Sequence, residues 1–420
     1  MLKFLCIVCL SVTPLAAVAQ ARARQACATS LTVGPPQTLW SARAQERRLR
    51  LETGTSISSG LLLIGRTIDS LQQIRREAGT VVARLLEPGA STLRSLPVPE
   101  GSFGFVAPVL TTMDSNRAIL TWGERGPVAE ADSLQPGDIH ELWYSIYSDA
   151  RWSTPRRIEV YDRKVRWGLN KQAVTRGRNG EVHLVLDPLV EAGKPSRMIH
   201  LRTDGDAWLR SDLPTEATLG HVYAAAVHSS DRLHVALVAS PPQGTKGVNA
   251  VYFRSQVSGP IWTPERFLFH RAPAGAYNIA AAVDTADGAI HVLWGQGQMF
   301  ALTALYHMVS LDGGFQWTAP RFQRVSSTWN RLPLTVLALP TGGGLAVATG
   351  PGEDDLRLFR FCAAGLNRPV IAVRKFIRSA EPLLLHGAHG SPVLLTSGFL
   401  VSGKRVDAVW QVRTITSKPR

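Results

Sequence analysis

The chain has 420 residues, with 46 Lys and Arg against 32 Asp and Glu, for a formal net charge of +14. A hydrophobic content of 45% together with 36 Gly and 26 Pro fits many short strands separated by turns. Helical periodicity is confined to two short stretches, residues 41–50 and 68–76, which speaks against an α-helical protein.

Residues 1–19 read as a secretion signal, with Lys3 at the start, an apolar run over 4–15 and Ala17-Val18-Ala19 as the small-residue cleavage pattern. Cleavage is expected near residues 19–23. The apolar run is shorter than the roughly 20 residues a membrane-spanning helix needs. Loss of the signal removes Cys6 and Cys9 and leaves Cys27 and Cys362, which are expected to pair in an oxidising compartment. The stretch 28–40, containing SLTVGPPQTLW, reads as a lone edge strand with no hairpin partner nearby.

From residue 49 a four-strand pattern repeats. The first unit takes 49–53, 61–66, 80–86 and 93–98, and the second 103–111, 117–122, 141–147 and 154–160. The third takes 170–175, 181–186, 197–202 and 208–213, and the fourth 221–228, 232–239, 250–255 and 263–269. The fifth takes 277–284, 289–294, 304–309 and 318–325, and the sixth 334–339, 344–349, 356–361 and 370–375. The seventh has only 383–387, 392–396 and 406–414.

A strand-turn-Trp unit recurs at Trp152, Trp208, Trp262 and Trp317, so the tryptophans fall 56, 54 and 55 residues apart. Such a period is the signature of a propeller or solenoid. The seventh unit lacks its fourth strand, and in a ring the orphan strand near 30–40 is free to complete it. The expectation is one all-β domain over 28–420: a single β-propeller of four-stranded antiparallel blades. Seven blades are expected, with six as the alternative. The same closure carries Cys27 toward Cys362.

Three histidines, His183, His234 and His291, occupy one equivalent second-strand position behind the turns Asn179-Gly180, Ser230-Asp231 and Asp287-Gly288. Because equivalent positions in separate blades are far apart, they read as structural hydrogen-bonding groups. No metal and no cofactor is expected.

The stretch Ser310-Leu311-Asp312-Gly313-Gly314-Phe315-Gln316-Trp317 spells S-x-D-x-G-x-x-W. With the recurring strand-turn-Trp units, three of them followed by a Pro, it resembles the Asp-box of the sialidase superfamily, the BNR-repeat propellers. The resemblance implies that Ser310, Asp312, Gly314 and Trp317 are structural, on outer turns away from any active site. The Arg-Ile-Pro motif of active exo-sialidases is absent. Arg331-Leu332-Pro333 is the nearest spelling, so a divergent member without the full sialidase catalytic set is implied.

Binding in propellers gathers at one mouth of the central channel. The connections entering the innermost strands supply Lys171, His221, Tyr277, Asn278, Asn330, Arg331 and Glu381. Arg331 and Lys171 suit a sugar carboxylate. Tyr277, Glu381 and His221 are the candidates for nucleophile and base, and Asn278 and Asn330 for ligand binding. A second group, taken as loops leaving the second strands, contains Trp122 and Trp294 as possible sugar-stacking rings and the acidic run Glu353–Asp355.

The expected protein is an exported, monomeric, periplasmic or secreted propeller that binds an acidic carbohydrate or cell-envelope glycan at the channel mouth. The alternative is a glycan-cleaving enzyme, a sialidase-like hydrolase or a polysaccharide lyase; a protein-binding scaffold is a third reading. Export argues against nucleic acid as partner.

Overall fold

The computed structural model describes residues 29–43, 48–68, 80–100, 106–125, 139–158, 166–167, 173–186, 188–189, 197–215, 218–229, 232–241, 249–298, 301–327, 334–349, 355–373, 377–378, 382–387, 390–402 and 405–419. It is all-β, with seven four-stranded antiparallel blades arranged in a ring: a seven-bladed β-propeller. Blade 1 runs Arg48–Ile57, Gly60–Ile68, Thr80–Leu86 and Arg94–Leu96 from the channel outward. Blade 2 runs Val106–Thr112, Ala118–Arg125 and Ile139–Ser148, with Arg151–Trp152 and Arg156–Ile158 sharing its outer edge. Blade 3 is Ala173–Arg176, Val182–Leu186, Arg197–Asp204 and Ala207–Pro214. Blade 4 is Thr218–His228, Leu233–Ser240 and Ala250–Ser258, edged by Ile261–Trp262 and Arg266–Phe269. Blade 5 is Gly275–Val283, Ile290–Gln298, Ala301–Ser310 and Arg321–Ser327. Blade 6 is Thr335–Ala338, Gly344–Thr349 and Leu356–Cys362, edged by Gly365–Leu366 and Val370–Val373.

Blade 7 closes the ring. Its own strands are Leu383–His386, Pro392–Ser402 and Arg405–Pro419, and the outer position is filled from the other end of the chain. Gln37–Arg43 pairs with Val412 back to Asp407, and Thr29–Val33 pairs with Pro419 back to Ile415. Gly34-Pro35-Pro36 bridges the two segments, and the Gly34 N–H donates to the Thr414 carbonyl at 2.9 Å. Two prolines are tolerated here because the segment is the sheet's outermost strand. The innermost strand of each blade touches those of both neighbours, blade 1 against blade 7 included. The short helical stretch considered at 41–50 is not one: 41–43 and 48–50 are strand. The bonding of the Pro-Pro segment to a distant strand is the interaction that no local pattern reports.

The core is divided among the seven seams between blades. Second strands are buried on both faces, and their side chains alternate between the two flanking seams. In blade 1, Leu62 and Ile64 join Leu110, Leu120 and Trp122 of blade 2, while Leu61 and Leu63 join Leu395, Trp410 and Val412 of blade 7. Each recurring tryptophan plugs the seam toward the preceding blade: Trp152 between blades 1 and 2, Trp208 between 2 and 3, Trp262 between 3 and 4, and Trp317 between 4 and 5. Three of them meet a third-strand ring of that preceding blade edge-on, Trp208 on Tyr144 at 5.7 Å, Trp262 on His200 at 5.5 Å and Trp317 on Phe253 at 4.8 Å.

The Ser310–Trp317 turn shows why its residues are needed. Ser310 Oγ donates to Asp312 Oδ1 at 2.8 Å and accepts from the Gly314 N–H at 2.8 Å. Asp312 Oδ1 also accepts from the Gln316 N–H, and Trp317 Nε1 donates to the Gly314 carbonyl at 3.1 Å. Gly314 has φ of 96°, and a Cβ there would stand 2.3 Å from the Phe253 ring. The turn therefore fixes the seam tryptophan.

The three equivalent histidines remain in separate blades, each with its own partner. His183 Nδ1 lies 3.0 Å from His200 Nε2, His234 Nδ1 lies 2.8 Å from Ser255 Oγ, and His291 Nδ1 lies 2.9 Å from His307 Nε2. In blade 5 burial pushes His291 down to about 4 and His307 well below its ordinary value.

Trp208→Ala and Trp317→Ala are each expected to lower the unfolding free energy by about 2–3 kcal/mol, somewhat less than a fully buried ring. Urea unfolding checks this, and equality with the parent would contradict it. The blade 5 histidines ionise more readily in the unfolded chain, near 6.5, than in the fold, near 4 for His291. Unfolded chains thus bind protons first as pH falls, so the His291 contribution is complete above 6.5 and is lost between 6.5 and about 4, with His307 acting in the same direction. A denaturation midpoint that stays level across that window would contradict this assignment.

Candidate functional site

Strand direction alternates within a blade, so the ring has two unlike faces. Connections between blades, and those between second and third strands, emerge on the mouth face. The turns between first and second strands and between third and outer strands lie on the opposite, turn face. Inner strands therefore begin at the mouth.

Among the described residues, the inner strands of blades 1, 2, 4 and 5 are irregular close to that beginning. Their pairing with the second strand shifts between Leu51 and Thr53, Val106 and Val109, Thr218 and Tyr223, and Tyr277 and Ile279. Bulges of this kind re-aim side chains at the rims of closed sheets. Two of the residues involved have positive φ without being glycine, Ala107 at 47° and Asn278 at 44°. In blades 1, 2 and 5 the residue facing the bulge on the second strand is glycine: Gly65, Gly123 and Gly295. At Gly65 a Cβ would meet the Trp410 ring at 2.5 Å.

The next residue along is polar in each case: Arg66, Glu124 and Gln296. Arg66 is buried, with Nε 3.5 Å from Glu52 Oε1, and Arg50 Nε lies 3.4 Å from the same oxygen. Trp122 Nε1 donates to Glu124 Oε1 at 2.8 Å. Trp294 Nε1 donates to Gln296 Oε1 at 3.3 Å, and Gln296 Nε2 donates to the Ala274 carbonyl at 2.7 Å. Sequence reasoning grouped Glu124 and Gln296 with the two tryptophans but missed Arg50, Glu52 and Arg66, each of which looks like an ordinary strand residue until the bulges are seen.

Of the mouth candidates, Tyr277 and Asn278 stand side by side at the bulge of blade 5. Tyr277 is 7% exposed, with its ring in the seam to blade 6. His221 lies within the irregular start of the blade 4 inner strand, Thr218–His228. Lys171, Asn330, Arg331 and Glu381 lie outside the described residues, as do Cys27, Glu353 and Asp354. Trp122 and Trp294 need a correction. They belong to regular second strands, not loops, and are 1% and 0% exposed, so neither offers a ring face to a sugar. They pack in the seams, and the glycine after each pairs across the sheet beside an inner-strand bulge.

On the turn face a second cluster forms across the seam between blades 3 and 4. Glu181 Oε1 lies 3.9 Å from His183 Nε2 and 3.9 Å from His228 Nε2. These three residues can offer one ligand atom each to a metal, all within 4.8 Å of one another. They border a cavity of about 520 Å³ that Arg178, Arg202 and Arg232 also line.

Comparison with solved structures places this architecture among known propellers. A protein of unknown function from Dyadobacter fermentans is similar over 92% of this chain and 99% of its own, at 12% identity and a TM-score of 0.50. The polysaccharide lyase Uly1 is similar over 87% of this chain and 90% of its own, at 8% identity and a TM-score of 0.50. The GH93 α-L-arabinofuranosidase of Fusarium graminearum, solved with arabinobiose, is similar over 76% of this chain and 96% of its own, at 11% identity and a TM-score of 0.50. These likenesses establish the fold. No protein-family model matches the sequence, and comparison with curated proteins finds no match. Among the described residues no helix is long and apolar enough to cross a membrane.

Asn278 gives a direct test of the bulge. Asn278→Gly is expected to cost less than Asn278→Val, because glycine adopts positive φ freely. Asn278→Val is expected to lose about 1–2 kcal/mol from a β-branched side chain forced to positive φ. Equal unfolding midpoints for the two variants would contradict the bulge.

Proposed function

We propose that this protein is an exported, divergent relative of the sialidase-like propellers that binds an acidic glycan at its channel mouth. The observation that carries the reading is the row of irregular inner-strand starts in blades 1, 2, 4 and 5, which brings Asn278 and the backbone of His221 to one rim. The net charge of +14 supports an acidic ligand, since a positively charged cleft attracts anions over long range. The likeness in fold to a polysaccharide lyase and to an arabinofuranosidase supports a carbohydrate.

In this reading Arg331 and Lys171 pair with carboxylates of the sugar, Asn278 and Asn330 hydrogen-bond its hydroxyls, and His221 and Glu381 flank the bound ring, while the buried Tyr277 ring supports the bulge that carries Asn278. Export through the N-terminal signal belongs to the same proposal, as does a Cys27–Cys362 disulfide. The pairing is supported by the 1% exposure of Cys362 and by Leu31 and Val33, which pack against blade 6. Such a bond would fasten the closing strand to the blade beside it.

The test is a glycan array with the mature chain, followed by turnover assays on sialosides and uronic-acid polymers. Binding to uronate- or sialate-bearing glycans is expected to exceed binding to neutral ones and to weaken with added salt. Arg331→Ala is expected to lower it at least about tenfold, the scale of a lost charge-assisted hydrogen bond. An unchanged array profile for that variant would remove the mouth as the site. Unsaturated products from uronate polymers would turn the binding protein into a lyase.

A further inference from the structure

Away from the mouth, His183 presents a buried atom with no hydrogen-bond partner. It is 2% exposed, and its Nε2 finds no donor or acceptor within hydrogen-bond distance. The equivalent atom in blade 4 is paired, since His234 Nε2 lies 2.9 Å from Ser229 Oγ. An unpaired buried nitrogen is costly, so its surroundings point to what it meets. Those surroundings are a carboxylate, Glu181, and a second imidazole, His228, contributed by the end of the next blade's inner strand.

We infer that Glu181, His183 and His228 form a binding site for a divalent cation of the zinc class on the turn face, between blades 3 and 4. Two imidazole nitrogens and one carboxylate are a recurrent zinc donor set, and three protein ligands leave one position open. With bonds of 2.0–2.1 Å, tetrahedral ligand atoms stand about 3.3 Å apart. The two 3.9 Å separations from Glu181 need to close by about half an ångström, and the two imidazole nitrogens, within 4.8 Å of each other, by at most about 1.5 Å, which rotamer shifts can supply.

The outer contacts already orient both rings. His228 Nδ1 is hydrogen-bonded to the Ser229 carbonyl, which can only accept, so the proton sits on Nδ1 and the Nε2 lone pair faces Glu181. His183 Nδ1 meets His200 Nε2 at 3.0 Å, and His200 Nδ1 meets Ser211 Oγ at 3.0 Å. With His183 donating to His200 and His200 donating to Ser211, the His183 Nε2 lone pair is available and every hydrogen bond is kept. Metal-binding histidines almost always have their other ring N–H held by an acceptor, a role the Ser229 carbonyl fills for His228 and His200 Nε2 fills for His183. His291 Nε2 in blade 5 is also unpaired, but no second imidazole and carboxylate converge on it; among the described residues only Glu181, His183 and His228 form such a trio.

The cavity beside the trio is large enough for an exogenous ligand, and Arg178, Arg202 and Arg232 on its wall favour an anionic one at the open position. A site of this kind would also tie blade 3 to blade 4 where neither backbone crosses the seam.

The test uses the mature full chain, stripped with chelator and then dialysed against Zn2+, with Co2+ as a spectroscopic stand-in. One equivalent of Zn2+ is expected to be retained, Co2+ is expected to give the strong visible band of tetrahedral coordination, and the melting temperature is expected to rise with added Zn2+. Glu181→Gln and His228→Gln are expected to abolish the band and the thermal shift, while His270→Gln, an exposed histidine outside the trio, keeps both. Absence of retained metal in the parent chain would overturn the site. So would parental binding in folded Glu181→Gln, which decides the question should His228→Gln fail to fold.

Discussion

The whole structure depends on a constraint set by its second strands, which are buried on both faces. Leu61–Ile64, Val182–Leu186 and Leu233–Ala239 expose almost nothing, and their alternate side chains serve different seams. A sheet of this kind needs a neighbour on each side, so an open row of blades would leave two apolar faces in water. Closing the row into a ring removes both. The final closure is made by segments from opposite ends of the chain, with Trp40 paired to Trp410 in register.

Within that ring the two faces take on different tasks. The turn face carries the elements that lock seams, namely the Ser310–Trp317 turn, its counterparts at the other tryptophans, and the histidine pairs behind the first-to-second-strand turns. The mouth face carries the irregular strand starts and, on the second strands beside them, the polar residues Arg66, Glu124 and Gln296. Regular pairing gives rigidity, and departures from it where inner strands begin give the rim freedom to present side chains. The glycan site is proposed on that irregular rim, and the metal site where a carboxylate and a second imidazole converge on one of the locking histidines.

Much of the fold was legible because its signals are local. The strands at Thr80–Leu86 and Gly344–Thr349 stand where turns and β-branched runs placed them, and the even spacing of Trp152, Trp208, Trp262 and Trp317 reflects four equivalent seams. The orphan strand was legible by subtraction, since one blade lacked a strand and one strand lacked a blade. Inner-strand starts were less legible, because a bulge breaks the period of two that marks a strand. Trp122 and Trp294 lie beside such bulges, and their strands continue past them to Arg125 and Gln298, where loops were expected. Glu181 and His228 escaped notice for a different reason. They are brought together only by the offset of one blade against the next, which no spacing within a blade encodes.

Ring closure by the N-terminal strand is best tested by native-state hydrogen exchange. The account predicts that amides bonded between 37–43 and 407–412 are protected to the same degree as those between Arg405–Pro419 and Pro392–Ser402, one cooperative unit spanning both chain ends. Rapid exchange throughout 37–43, alongside a fully protected 405–412, would show that the head of the chain is not the seventh blade's outer strand and would contradict the closed ring.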